Sequence, residues 1–152
     1  MAGKKEKLTS TMEDYLNVIL YLKKKNKVAR VKDISALTNV TPPTVNSAVK
    51  YLKEQKLIQH ETYGYIELTK KGEMIAKEIN HKHTIICKFL ENILGIESTI
   101  AVQDACKIAH SVSKQTLDGI VEYLDMVESY SDEEIPVCLK KFRNKILTSN
   151  KT

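Results

Sequence analysis

A chain of 152 residues, 42% of them apolar, can bury a core without a disulfide framework, and its three cysteines lack the even number and spacing of one. No apolar run approaches the roughly 20 residues that cross a bilayer, and the basic N-terminus leads into no apolar signal segment, so a cytoplasmic protein with reduced thiols and no membrane partner is expected. The formal net charge of +5 is unevenly divided: residues 1–82 hold sixteen Lys and Arg against nine Asp and Glu, whereas residues 83–152 hold eight against ten. The N-terminal half therefore suits a polyanionic partner, and the C-terminal half another task.

In chain order, Thr11 to Lys25 carries Met12, Tyr15, Leu16, Ile19 and Leu22 on one helical stripe. A second, short helix follows with Ile34 and Leu37 on its apolar side, closed by Asn39 and Val40. The next helix buries Val45, Ala48, Val49 and Leu52, spaced as one face, with Thr41 placed as N-cap and Pro42 as first residue, where a missing N–H costs nothing. After Leu57 the period changes. Ile58-Gln59-His60-Glu61-Thr62 and Tyr65-Ile66-Glu67-Leu68-Thr69 are β-leaning runs joined through Tyr63-Gly64, a strand, turn and strand. Helix, helix, Thr-Pro-Pro turn and hairpin in this order outline a winged helix-turn-helix, a module that reads duplex DNA.

Beyond the hairpin, residues 70–94 read as one long helix of about 35 Å at 1.5 Å per residue, with Met74, Ile75, Ile79, Ile86, Phe89, Leu90 and Ile93 on its apolar side and Gly95 past its end. Ser98 or Thr99 then opens a helix through Val112, and Ser113 caps another through Val127. The expected fold is mainly α: a winged helix-turn-helix of three helices plus a hairpin wing over 1–72, joined by the long helix to an all-α dimerisation domain over 73–128. Residues 129–152 form a tail in which Val137 to Leu147 has helical character.

Potential metal ligands recur at helical spacing. Cys106 and His110 lie four apart and project from one face, His83 precedes Cys87 by the same interval, and Asp14 lies in the first helix with Asn17 a turn on. Converging helices would let Asp14, His83, Cys106 and His110 offer a carboxylate, two imidazoles and a thiolate, a four-coordinate shell. Taken singly, Cys106 also reads as an inert buried thiol, the histidines as hydrogen-bonded side chains, and Asp14 as a favourable charge near a helix N-terminus.

Met12-Glu13-Asp14-Tyr15-Leu16, Ala29-Arg30-Val31-Lys32-Asp33-Ile34, Thr41-Pro42-Pro43-Thr44-Val45, Leu68-Thr69-Lys70-Lys71-Gly72, and His83 shortly before Phe89-Leu90 together resemble the diphtheria-toxin repressor family of metal-dependent regulators, in register from about Leu8 to Val127. The chain looks most like the shorter manganese-transport regulators. The resemblance implies that iron or manganese binds between the domains and that the dimer then grips a palindromic operator. By position, Asp14 and His83 match ligands of the manganese branch, Cys106 a cysteine of the iron branch, and His110 the histidine that ends the same motif. Two family carboxylates are replaced, by Ala109 and Asn17, and Cys87 stands where the iron branch has a glutamate of its second site. Fewer hard oxygen donors favour Fe²⁺ or Zn²⁺ over Mn²⁺.

The expected function is thus a metal-responsive homodimeric repressor of metal-homeostasis genes. The alternative keeps DNA binding with a degenerate site, constitutive or answering to another ligand or partner. Thr41, Pro43, Thr44 and Ser47 are expected at base edges, and Lys50, Lys53, Arg30 and Lys32 at phosphates. His60 and Tyr63 are expected to place the wing. An enzyme using Cys87 and His83 finds no base, oxyanion site or substrate pocket in the sequence.

Overall fold

The computed structural model describes residues 8–26, 28–60, 64–131 and 133–149, and the chain divides into two compact units at Asn80/His81. In the first, α1 (Ser10–Asn26) buries Tyr15, Leu16, Ile19, Leu20 and Leu22, and Met12 packs on the rim of the same core. The Thr9 hydroxyl accepts from the Met12 N–H at 3.3 Å, and Lys23, Lys24 and Lys25 meet the negative end of the helix dipole.

α2 (Val31–Thr38) ends where Asn39 adopts a left-handed backbone, φ 54°. Ile34 is fully buried, but Leu37, expected beside it in the core, is 51% exposed. In a helix of two turns, Ile34 with the flanking Val31 and Val40 fills the contact, and Leu37 falls to the side. α3 (Pro42–Glu54) buries Val45, Ala48, Val49 and Leu52 as its spacing requires. Thr41 stands at the N-cap with extended backbone, yet its hydroxyl pairs with that of Thr44 at 3.0 Å and leaves the amides uncapped by its side chain.

The far end of α3 is closed by a Schellman arrangement. Lys56, at φ 57°, donates its N–H to the Lys53 carbonyl, and the Leu57 N–H reaches back to the Leu52 carbonyl at 3.0 Å. Leu57 is thereby buried and the chain turns directly into the wing.

Three strands form one antiparallel sheet of order β1-β3-β2: β1 (Ala29–Arg30), β2 (Ile58–His60) and β3 (Tyr65–Leu68). Ile58 lies opposite Leu68 and His60 opposite Ile66, while Ala29 and Arg30 pair with Ile66 and Tyr65 on the other edge. β1 is absent from the sequence reading because two residues cannot display a period; it exists through its pairing with β3. Glu61, Thr62 and Tyr63, the expected end of the first strand and the turn, lie outside the described residues.

β3 stops before Thr69 because that residue caps the next helix. Its hydroxyl accepts from the Gly72 N–H at 3.1 Å and contacts the Lys56 and Leu57 carbonyls, while its own N–H donates to the Leu57 carbonyl at 3.0 Å. The start of α4 (Lys70–Asn92) is thus clasped to the end of α3. The first half of α4 sends Ile75, Ala76 and Ile79 inward, and Glu73 bridges Lys23 (2.9 Å) and Lys77 (2.8 Å), whose hydrogen bonds first, then their charges, hold its carboxyl down at about 2. Met74, expected on the apolar side, is 72% exposed, since Ile75 and Ala76 occupy the core-facing positions.

In the second unit, the later turns of α4 pack with α5 (Ser98–Ala109), α6 (Lys114–Ser129) and α7 (Val137–Ser149). Ile86, Ala105, Ala109 and Leu117 form one apolar cluster; Ile93, Leu124 and Val127 form another, with Phe89, Ile120, Tyr123 and Leu139 around it. Glu97, in place of the expected Ser98 or Thr99, caps α5: its carboxylate accepts the Thr99 N–H at 3.1 Å, and the Thr99 hydroxyl first, then that N–H, depresses its pKa. α5 stops at Ala109, short of Val112, where the last turn tightens and the Ser111 N–H donates to the Ile108 carbonyl three residues back. Ser113 caps α6 as its sequence suggests, accepting the Thr116 N–H at 3.1 Å.

Candidate nucleic-acid interface and metal centre

Burying Val45, Ala48, Val49 and Leu52 decides what α3 shows to solvent. Thr41, Pro43, Thr44, Ser47, Lys50 and Lys53 are all exposed on the other side, and so is Asn46, which the sequence reading passed over. Asn46 could have been found by taking the complement of the buried face, and its amide has the donor and acceptor that suit an adenine edge. The Ser47 hydroxyl donates to the Pro43 carbonyl at 3.1 Å, and the Thr41–Thr44 pair fixes two more hydroxyls, so the first turns of α3 present a set surface of oxygens and methyls. Arg30 and Lys32 flank the start of α2 and are exposed. His60 ends β2; Tyr63 lies outside the described residues.

Of the expected metal ligands, Cys106 and His110 are brought together. Both are half-buried, one turn apart at the end of α5, and the Cys106 sulfur and a His110 ring nitrogen lie within 4.8 Å of one another. A thiolate and an imidazole bind one ion at about 2.3 and 2.0 Å, so this pair is within reach of a shared cation with small side-chain adjustment. His83, on α4, instead places Nε2 3.2 Å from the Val102 carbonyl of α5, one turn before Cys106. That contact orients the ring and leaves Nδ1 for other use.

Cys87 behaves as a packing residue. It lies against the Ile86–Ala105 cluster, and burial first, then the Glu91 carboxylate, raises its thiol pKa, which disfavours the thiolate a metal requires. Cys138 is exposed on α7. Ala109 is buried in the same cluster, so the position of the family glutamate carries a methyl group in the core and no ligand. Asp14 and Asn17 are both half-buried, one turn apart on α1 in the first unit. No described helix is long and apolar enough to cross a membrane.

A family model for the iron dependent repressor N-terminal DNA binding domain matches residues 7–66, and one for the iron dependent repressor metal binding and dimerisation domain matches residues 69–135. An uncharacterised HTH-type transcriptional regulator of Methanocaldococcus jannaschii is 31% identical over 119 residues, which cover 78% of this chain and 95% of that protein. The HTH-type transcriptional regulator MntR of Bacillus velezensis is 32% identical over 126 residues, 83% of this chain and 86% of its own. Among solved structures, the manganese regulator SloR matches with a TM-score of 0.69 at 29% identity, over 78% of this chain. The chain spans 55% of SloR's length.

Proposed function

Because the chain belongs to the iron dependent repressor family, whose members are metal-dependent, DNA-binding regulators of transcription and not enzymes, we propose that it is a cytoplasmic, homodimeric repressor that binds a palindromic operator and controls genes of metal-ion homeostasis. The observation that carries the metal-dependent part is the Cys106–His110 pair. Asp14 and His83 complete the proposed ligand set, as the family resemblance implies. As the resemblance implies, the bound ion would set the spacing of two recognition helices, which must meet half-sites one turn or a multiple of it apart.

The donor set favours Fe²⁺ or Zn²⁺: it contains a thiolate and imidazoles, while Ala109 and Asn17 withhold two carboxylates. Asn17→Glu should restore one hard oxygen and narrow the gap between Zn²⁺ and Mn²⁺ affinity by about tenfold, roughly 1.4 kcal/mol, in calorimetric titrations. An unchanged ratio would count against Asn17 lying beside the ion. The buried methyl of Ala109 also supports a second reading, a winged-helix regulator with a degenerate site whose operator binding ignores chelators.

The second unit exposes Ile100 (52%), Ile108 (39%) and Met126 (44%), apolar surface suited to a second copy of the chain. On the DNA side, base and phosphate contacts separate experimentally. Ser47→Ala should change preference at one base position, whereas Lys32→Ala should weaken all sequences alike and lower the salt slope by about one. Equal effects on every sequence from both variants would contradict the division.

A further inference from the structure

Arg30 and Tyr65 are cross-strand partners of β1 and β3. Their neighbours Ala29 and Ile66 are buried, so this pair stands on the sheet's outer face. An Arg30 guanidinium nitrogen donates to the Tyr65 phenol oxygen at 3.0 Å, and the guanidinium carbon lies 4.9 Å from the centre of the Tyr65 ring. The ring is half-buried and fixed by its strand; the arginine is exposed and makes no ion pair among the described residues. One of the five guanidinium donors is thus occupied by a neutral partner, and no described carboxylate pairs with the charge.

Arg30 is also the residue that opens α2, two before the exposed Lys32, and through β1 it joins the reading helices to the wing. A free surface arginine samples many rotamers and loses that freedom on meeting a phosphate. Here the loss is taken in advance by the tyrosine. We infer that Tyr65 is a positioning residue for DNA binding: its ring and hydroxyl hold the Arg30 guanidinium at the base of the wing, with its remaining donors free for a duplex phosphate. This rests on the DNA-binding reading above. The bare alternative is that the pair serves only to tie β1 to β3.

The test is a double-mutant cycle on the full chain with Zn²⁺ present, using a labelled duplex enriched from random sequence by the wild-type protein, over a range of salt concentrations. Arg30→Ala should weaken binding and lower the slope of log affinity against log salt by about one. Tyr65→Leu should weaken binding about fivefold with the slope unchanged, because the arginine charge is still present. Tyr65→Phe, which keeps the ring, should recover part of that loss. In the Arg30→Ala background Tyr65→Leu should cost nothing further. The inference is overturned if Tyr65→Leu has no effect, if its effect is the same with and without Arg30, or if Arg30→Ala leaves affinity and slope intact. A wild-type chain that enriches no duplex would instead remove the DNA-binding reading, and this inference with it.

Discussion

Gly72→Ala should destabilise the N-terminal unit by about 3 kcal/mol, the upper part of the range for overpacking against a part that cannot yield. A Cβ built at Gly72 falls 1.9 Å from the Leu57 carbonyl oxygen, and that oxygen is held by the Thr69 N–H in the clasp between α3 and α4. The obstacle is backbone, so relief requires the reading helix and the long helix to move apart. Denaturant unfolding should show the loss, and DNA affinity should fall with it. Gly119→Ala is the matched control: nothing lies within 4 Å of its added methyl, and a mid-helix alanine should stabilise by about 0.5–1 kcal/mol. A Gly72→Ala protein as stable as the parent would show that the clasp is softer than its geometry implies.

Replacing Cys106 by Ser or His110 by Ala should each weaken metal binding at least tenfold, about 1.4 kcal/mol, and the double variant should respond to no divalent ion in a DNA-binding assay. Both side chains are half-buried at the end of α5, and neither belongs to the two apolar clusters of the unit, so thermal unfolding without metal should change little. Cys138→Ser, on exposed surface of α7, should leave metal affinity as it was. Equal losses from Cys106→Ser and Cys138→Ser would mean that a general thiol effect had been mistaken for a site.

Much of this architecture was legible in the sequence because it is carried by periodicity and punctuation. Val45, Ala48, Val49 and Leu52 announce one helical face, and they are the buried face of α3. Ser113 announces an N-cap and makes that hydrogen bond. What was not legible depends on partners distant in sequence. β1 is two residues long and owes its existence to β3; Leu37 and Met74 have apolar side chains at helical spacing, but other residues fill the contacts they would have made. Leu68-Thr69-Lys70-Lys71-Gly72 served as a family signature, and the fold gives it a physical reason: Thr69 and Gly72 close the wing on the Leu57 carbonyl.

The candidate sites divide in the same way. Cys106 and His110 were legible because four residues on a helix is a local relation, fixed before any tertiary contact forms. His83 reached its place through the Val102 carbonyl, and Tyr65 reached Arg30 across a strand pair, neither of which spacing can announce. Asn46 is legible only as the complement of the buried face, since its exposure follows from the burial of Val45, Ala48, Val49 and Leu52 on the opposite side of α3.

The most direct test of the central claim is a titration of labelled operator duplex with the chelator-stripped chain, at fixed salt, with and without Fe²⁺, Zn²⁺ and Mn²⁺. The metal-switch account predicts an affinity gain of at least tenfold with Fe²⁺ or Zn²⁺, about 1.4 kcal/mol of coupling. The same affinity under chelator and under all three metals would contradict it, and would leave a winged-helix regulator whose signal lies elsewhere.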